Sequence, residues 1–306
     1  MKILFATVPQ AGHFNPPLPL AHAFAANGHQ VAYATSPDFA KRANREGFEP
    51  LAVGPEFDAW HGELARRVGG TPGEGLAPEE IMGWFGPRLF AQVGVDLTLP
   101  DLIDAVASWR PDLVVYDTYN FAAPIAAALA GIPSVSHAVS PLPPISVFER
   151  CGEAVAPAWE RHGLNAPPFG GIFDTACLSI SPPSLNGPLP AGLKAWTWPL
   201  RPVGYDRGAG GVEAPGWLDI LPNRPTIYAT LGTHPNTDRA VFRAILDGLA
   251  GEDVNLIVTA GAVRDAVRAV LDDPTYRDAA GQLAAEIAAM PGPDEVTRQL
   301  EKLVSR

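Results

Sequence analysis

The sequence predicts an α/β protein built on two doubly wound parallel sheets, the second of them incomplete. Three observations carry this reading. Strand-like and helix-like segments alternate from the first residues on, in the order β-α-β-α-β. The strand segments are near-continuous apolar runs, as expected of strands covered on both faces. The 306 residues suffice for two domains at roughly 100–200 residues each, and a Gly/Pro-rich stretch at 204–222 separates them.

The elements follow in order. Residues 2–8 are apolar and form a strand. A turn covers Pro9 to Asn15. Pro16 and Pro17 open a helix that runs to Asn27, and Gly28 closes it. Gln30–Thr35 is the second strand. Ser36 and Pro37 start a helix that reaches Glu46 and stops at Gly47. Phe48–Val53 is the third strand. Residues 54–77 have no regular period and are expected to be a long surface loop. Glu79–Arg110 is mostly helical, with interruptions expected near Pro87 and Pro100. Pro111–Asp117 is a buried strand, Phe121–Ala130 a helix ended by Gly131, and Pro133–Ala138 a strand. Val147–His162 is helical, and Ala176–Ser181 and Lys194–Trp198 are short strands. After the linker a new α/β unit begins: strand Thr226–Leu231, helix Thr237–Leu249, strand Asn255–Thr259. Helices are expected at Ala262–Leu271, Thr275–Ala289 and Glu295–Val304.

Composition narrows the function. The chain has 22 Lys+Arg against 33 Asp+Glu, a net charge of −11. That argues against a nucleic-acid binder, whose footprint is a basic patch. Proline is about twice its average usage of ~5%, at 33 residues, and belongs in loops. The two cysteines, Cys151 and Cys177, lack metal-site spacing and read as free thiols. No apolar run approaches the ~20 residues of a membrane span, and the apolar start is too short for a signal peptide. A cytoplasmic protein is expected, free of nucleic acid and membrane.

Two residues stand out as carriers of chemistry. His13 follows the first strand, at the carboxyl edge where doubly wound sheets bind ligands. Asp117 ends the fourth strand. In the strand order 3-2-1-4-5 the first and fourth strands are neighbours, so His13 and Asp117 meet although distant in sequence. An Asp beside an imidazole fixes its tautomer and makes it a better general base. Each residue also has a plain structural reading, His13 as a loop histidine and Asp117 as a helix cap; their joint placement at one crevice favours function. Gly12 is expected to let the backbone turn tightly before the helix. The first turn lacks Gly-x-Gly-x-x-Gly, which disfavours a nicotinamide enzyme. Gly-x-Ser-x-Gly is absent, which argues against a hydrolase elbow. The Gly-rich run at 69–75 lacks a P-loop Lys and follows no strand.

Gly12-His13-Phe14-Asn15-Pro16, Gly28-His29-Gln30-Val31 and Thr230-Leu231-Gly232-Thr233, in this order and with the linker between the last two, resemble GT-B glycosyltransferases. The closest resemblance is to the bacterial natural-product type related to UDP-glycosyltransferases. Residues 272–277 and 290–293 resemble the end of such enzymes. The resemblance implies two Rossmann-like domains: an acceptor-binding domain at 1–203, the linker at 204–222, and a donor-binding domain with C-terminal helices at 223–306. It implies that His13 deprotonates an acceptor hydroxyl, with Asp117 as its partner, and that a sugar passes from a nucleotide sugar with inversion. Gly12, Gly232 and Thr233 would approach the donor. No metal or resident cofactor is implied; the nucleotide sugar, UDP- or dTDP-linked, is a co-substrate. The hydrophobic acceptor would meet Phe57, Trp60, His61, Trp84, Phe85, Phe90 and Phe148, with His137 and Ser140 at the crevice. A homodimer is left open.

The sequence departs from the family after Gly261. The βα units that grip the diphosphate and the sugar are missing, roughly three units of ~30 residues, so the second domain is internally truncated near 261/262, whether by a segment absent from the sequence as it stands, by an internal deletion, or because another chain supplies the part. Two other functions therefore stay in view. One is a non-catalytic module that binds the acceptor without a donor site. The weaker is an enzyme like the NDP-sugar epimerases, which share the architecture.

Overall fold

The computed structural model describes residues 1–186, 189–204, 216–230, 239–259 and 274–305. The chain divides into two compact units: Met1–Tyr205 together with Glu286–Arg306, and Asp206–Ala285.

The first unit is built on seven strands: β1 (Lys2–Ala6), β2 (Gln30–Thr35), β3 (Glu49–Ala52), β4 (Leu113–Asp117), β5 (Ser134–His137), β6 (Cys177–Ser179) and β7 (Thr197–Pro199). They form one all-parallel sheet in the order β3-β2-β1-β4-β5-β6-β7. The expected 3-2-1-4-5 order is thus present and extends by two strands. Successive side chains of a strand point to opposite faces, and here both faces are packed. Ile3 and Phe5 join Val31, Tyr33, Leu113 and Val115 in one core. Leu4 and Ala6 join Ala32, Ala34, Val114 and Tyr116 in the other. Continuous apolar strands follow from this double covering.

The helices are α1 (Leu18–Ala26), α2 (Pro37–Arg45), α3 (Phe57–Val68), α4 (Pro78–Phe85), α5 (Val95–Trp109), α6 (Ala122–Ala130) and α7 (Ile145–Arg161), with a π-helical segment at Gly86–Gly94. Two expectations are corrected. Residues 57–68 are a helix and not part of a surface loop. Its apolar residues Phe57, Trp60 and Leu64 recur at helical spacing and are buried, and Gly69 ends it in the left-handed conformation. The Gly/Pro-rich neighbours mask that short period. Residues 78–109 are helical without a break at Pro87 or Pro100. A proline ring clashes with the α-helical carbonyl four residues back. The wider π register that begins at Gly86 carries the chain past Pro87.

The second unit contains strands β8 (Thr226–Thr230) and β9 (Asn255–Thr259), paired in parallel, and helix α8 (Arg239–Leu249). Ile245, Gly248 and Leu249 of α8 are buried. Gly232, Thr233, most of the expected linker, the helix expected at 262–271 and the 261/262 junction lie outside the described residues.

The last two helices are α9 (Pro274–Ala289) and α10 (Pro293–Val304). The sequence reading grouped α10 with the second domain; it packs on the first unit. Its Val296 and Leu300 are fully buried in the core that contains Leu18 and Phe24 of α1. Glu301 meets His29 Nε2 at 2.7 Å. Each such buried apolar side chain contributes roughly 1.5–3 kcal/mol.

Candidate functional site

Parallel pairing ends β1 and β4 at one edge of the sheet, with Ala6 opposite Tyr116. Asp117 is the next residue, and it is fully buried. A buried carboxylate needs partners, and this one has three. Its Oδ2 accepts the Val8 backbone N–H at 2.6 Å. Its Oδ1 accepts the Tyr119 N–H at 2.8 Å and faces His13 Nδ1 at 3.2 Å. Because Nδ1 faces an oxygen that also accepts the Tyr119 N–H, it carries the proton, and the lone pair lies on Nε2. Nε2 has no partner among the described residues.

His13 sits on a single helical turn, Ala11–Phe14. Phe14 anchors that turn in the core, 5.1 Å from the Tyr33 ring and 5.4 Å from Phe39. The side chain of His13 is 12% exposed, enough for a reactant to reach it. Gly12 corrects one expectation. Its φ is not left-handed, and a Cβ there would meet nothing within 4 Å. The turn itself does not require glycine.

Aromatic side chains line up from His13 outward. Phe90, on the π-helical segment, is 5.9 Å from the His13 ring. Phe57 and Trp60 of α3 pack on Phe90 at 6.3 and 6.5 Å. His61 touches Phe57 at 4.9 Å and Phe85 at 6.2 Å, and Phe85 meets Trp84 at 4.9 Å. Six of the seven ring candidates therefore form one chain leading to His13. Trp60, Phe90 and Phe57 are buried in the core behind that wall, and His61, Trp84 and Phe85 are its half-buried members. Phe148 is fully buried and packs edge-on against Phe173.

The sequence reading missed Tyr119. Its ring stands edge-on to His13 at 5.5 Å and packs on Phe90 at 5.0 Å. Burial pushes its phenol up to about 12, although the hydrogen bond to the Ser140 side chain lowers it. The hydroxyl stays protonated beside His13. Ser140 is exposed at this edge, its Oγ donating to Pro141 O. His137 lies opposite Asp117 in the β4–β5 register. It is fully buried, Nδ1 donates to Ala138 O at 2.8 Å, and burial lowers it to about 4. It is a neutral structural imidazole, with Nε2 unpartnered.

Among the described residues no group of three or more His, Cys, Asp or Glu could hold a metal ion. Among them, too, no helix is long and apolar enough to cross a membrane.

Residues 22–232 match the family model described as "Erythromycin biosynthesis protein CIII-like, N-terminal domain". The chain is 32% identical over 266 residues to L-demethylnoviosyl transferase of Streptomyces niveus, covering 84% of this chain and 65% of that one. It is 28% identical to tylactone mycaminosyltransferase of Streptomyces fradiae, covering 88% of this chain and 68% of that one. The chain thus spans about two thirds of these relatives. Among solved structures, the thymidine diphosphate complex of SsfS6, a Streptomyces sp. SF2575 glycosyltransferase, superposes with a TM-score of 0.76 at 20% identity, over 99% of each chain. SnogD of Streptomyces nogalater superposes at 0.72 and 22% identity, again over 99% of each. These likenesses establish the GT-B fold.

Proposed function

The chain belongs to the erythromycin biosynthesis protein CIII-like family of glycosyltransferases, and on that premise we propose that it transfers a sugar from a nucleotide sugar to a hydroxyl of a hydrophobic acceptor. The observation that carries this reading is the His13–Asp117 pair, with the imidazole Nε2 unpartnered at the carboxyl edge of the sheet. An acceptor hydroxyl that donates to Nε2 loses its proton there as its oxygen attacks the anomeric carbon. The bond from that carbon to the diphosphate breaks on the opposite face, so the configuration inverts. Asp117 holds the tautomer and stabilises the imidazolium that forms.

The ring chain from His13 to Trp84 supports an apolar acceptor, because large apolar surfaces with few polar groups suit such ligands. Relatives that act on tylactone and on aklavinone suggest a macrolactone or a polycyclic aromatic. The donor is taken as UDP- or dTDP-linked; the thymidine diphosphate seen in a structural neighbour favours the latter. Gly232 and Thr233 are assigned to its diphosphate, on the second unit. Acceptor binding on residues 1–203 and donor binding on 223–306 are part of the proposal, as are a cytoplasmic location and the absence of a resident cofactor. The sugar-transferring relatives do not favour an epimerase.

Replacing His13 with Ala tests the assignment. Removing a general base lowers transfer by ~10²–10⁴-fold, with acceptor affinity retained. Unchanged turnover would remove His13 from the chemistry. Calorimetry with aglycone and nucleotide sugar addresses the non-catalytic alternative, which holds if only the aglycone binds.

A further inference from the structure

Asp117 fixes the proton of His13 only while the imidazole faces it. The Nδ1–Oδ1 distance of 3.2 Å is long beside the ~2.7–2.9 Å of a strong hydrogen bond to a carboxylate, and that oxygen is shared with the Tyr119 N–H. The torsion that turns an imidazole about its bond to Cβ is broad and roughly two-fold. A half-turn carries Nδ1 away from Asp117 and puts a carbon in its place. One weak bond does not prevent that turn, so a second restraint is needed. The Tyr119 ring supplies it, standing edge-on to the imidazole at 5.5 Å and 75°. Phe90 is farther, at 5.9 Å, and comes from another segment.

Three features suit Tyr119 to this task. Its backbone N–H is tied to the carboxylate oxygen that His13 also meets, so its ring is anchored beside the pair. It is only 7% exposed and packs on Phe90 at 5.0 Å, which leaves the ring little room to move. Its hydroxyl is engaged by Ser140 and stays protonated, so an uncharged ring meets the imidazole. We infer that Tyr119 is a positioning residue for His13: its ring blocks rotation of the imidazole and so keeps Nδ1 on Asp117 and Nε2 free for the acceptor hydroxyl. The inference rests on His13 as the base of the proposed transfer.

Ring 15N spectra of the neutral imidazoles show which nitrogen carries the proton, and His13→Gln identifies the His13 signals among the seven histidines by their loss. Tyr119→Leu keeps the backbone N–H that Asp117 accepts, and it should move the His13 proton from Nδ1 toward Nε2. Tyr119→Phe should restore the native signals. Phe90→Leu, which removes the farther ring, should leave the proton on Nδ1. Unchanged His137 signals report an intact sheet edge in each variant. In transfer from dTDP-glucose to 4-methylumbelliferone, Tyr119→Leu should lower kcat and kcat/KM together by ~10²-fold, the cost of a misplaced reacting group. Tyr119→Phe should regain most of that loss. A proton that stays on Nδ1 in Tyr119→Leu, a Phe variant as impaired as the Leu variant, or an equal proton shift in Phe90→Leu would overturn the inference. A native chain that transfers nothing would count instead against the proposed function, and the ring spectra would still decide the role of Tyr119.

Discussion

Asp117→Asn separates the role proposed for Asp117 from simple support of the sheet edge. In the native chain all three partners present a donor to the carboxylate: Val8 N–H at 2.6 Å, Tyr119 N–H at 2.8 Å and His13 Nδ1 at 3.2 Å. An asparagine has one oxygen and one NH2. If its oxygen keeps Val8, its NH2 opposes the Tyr119 N–H and His13. If its oxygen keeps Tyr119, its NH2 opposes the Val8 N–H. Each choice loses at least one charge-assisted bond worth about 1.5–3 kcal/mol, so denaturant unfolding should show a loss of ~2–3 kcal/mol. In the first arrangement His13 must present a lone pair at Nδ1 and move its proton to Nε2. The lone pair then faces the introduced amide and not the acceptor, and transfer should fall ~10⁴-fold, the scale seen when a catalytic imidazole is held in the wrong tautomer. The 15N shifts of the His13 ring report the proton directly. A variant whose His13 proton has moved to Nε2 and that still keeps transfer within tenfold of native would refute the reasoning.

Leu300→Ala removes a fully buried side chain that joins α10 to α1, and it should destabilise the first unit by ~2–5 kcal/mol in denaturant melts. Cys151 and Cys177 are buried, and burial pushes both thiols up to about 12. A thiol reagent should therefore titrate neither in the native protein at pH 8 and both in denaturant. His137 is lowered from 6.5 to about 4 in the fold, so the unfolded chain binds its proton first as pH falls. This group's contribution is full above 6.5 and drains away between 6.5 and about 4, a loss of about 3 kcal/mol that His137→Gln should remove from the pH dependence of unfolding.

The site was legible where the sheet alone determines position. β1 and β4 are each covered on both faces, so their sequences read as unbroken apolar runs, and the crossover order makes them neighbours. Residues at their carboxyl ends must then meet, which is why His13 and Asp117 are predictable as a pair across 104 positions. α3 was not legible, because its three buried residues sit between stretches of glycine and proline that dilute a helical period over any longer window.

The ring chain was only partly legible, and for a different reason. Composition identifies aromatics but not the direction in which each one faces. Phe90 reaches His13 from a segment whose hydrogen bonds run in a π register, and a change of register rotates every following side chain about the helix axis. Tyr119 is placed by a local device instead. Asp117 Oδ1 takes the N–H two residues on, which curls the chain back and sets the Tyr119 ring against His13. The Asp-x-Tyr spacing was in the sequence, yet it signals only a turn. That the ring touches the imidazole depends on the sheet bringing His13 to the same edge. The His13–Asp117 pair therefore follows from strand order, whereas the surface proposed to face the acceptor follows from the register of residues 86–94 and the turn at 117–119. The register of residues 86–94 is independent of the strands, and variation in it would alter the proposed acceptor wall while leaving the His13–Asp117 geometry in place.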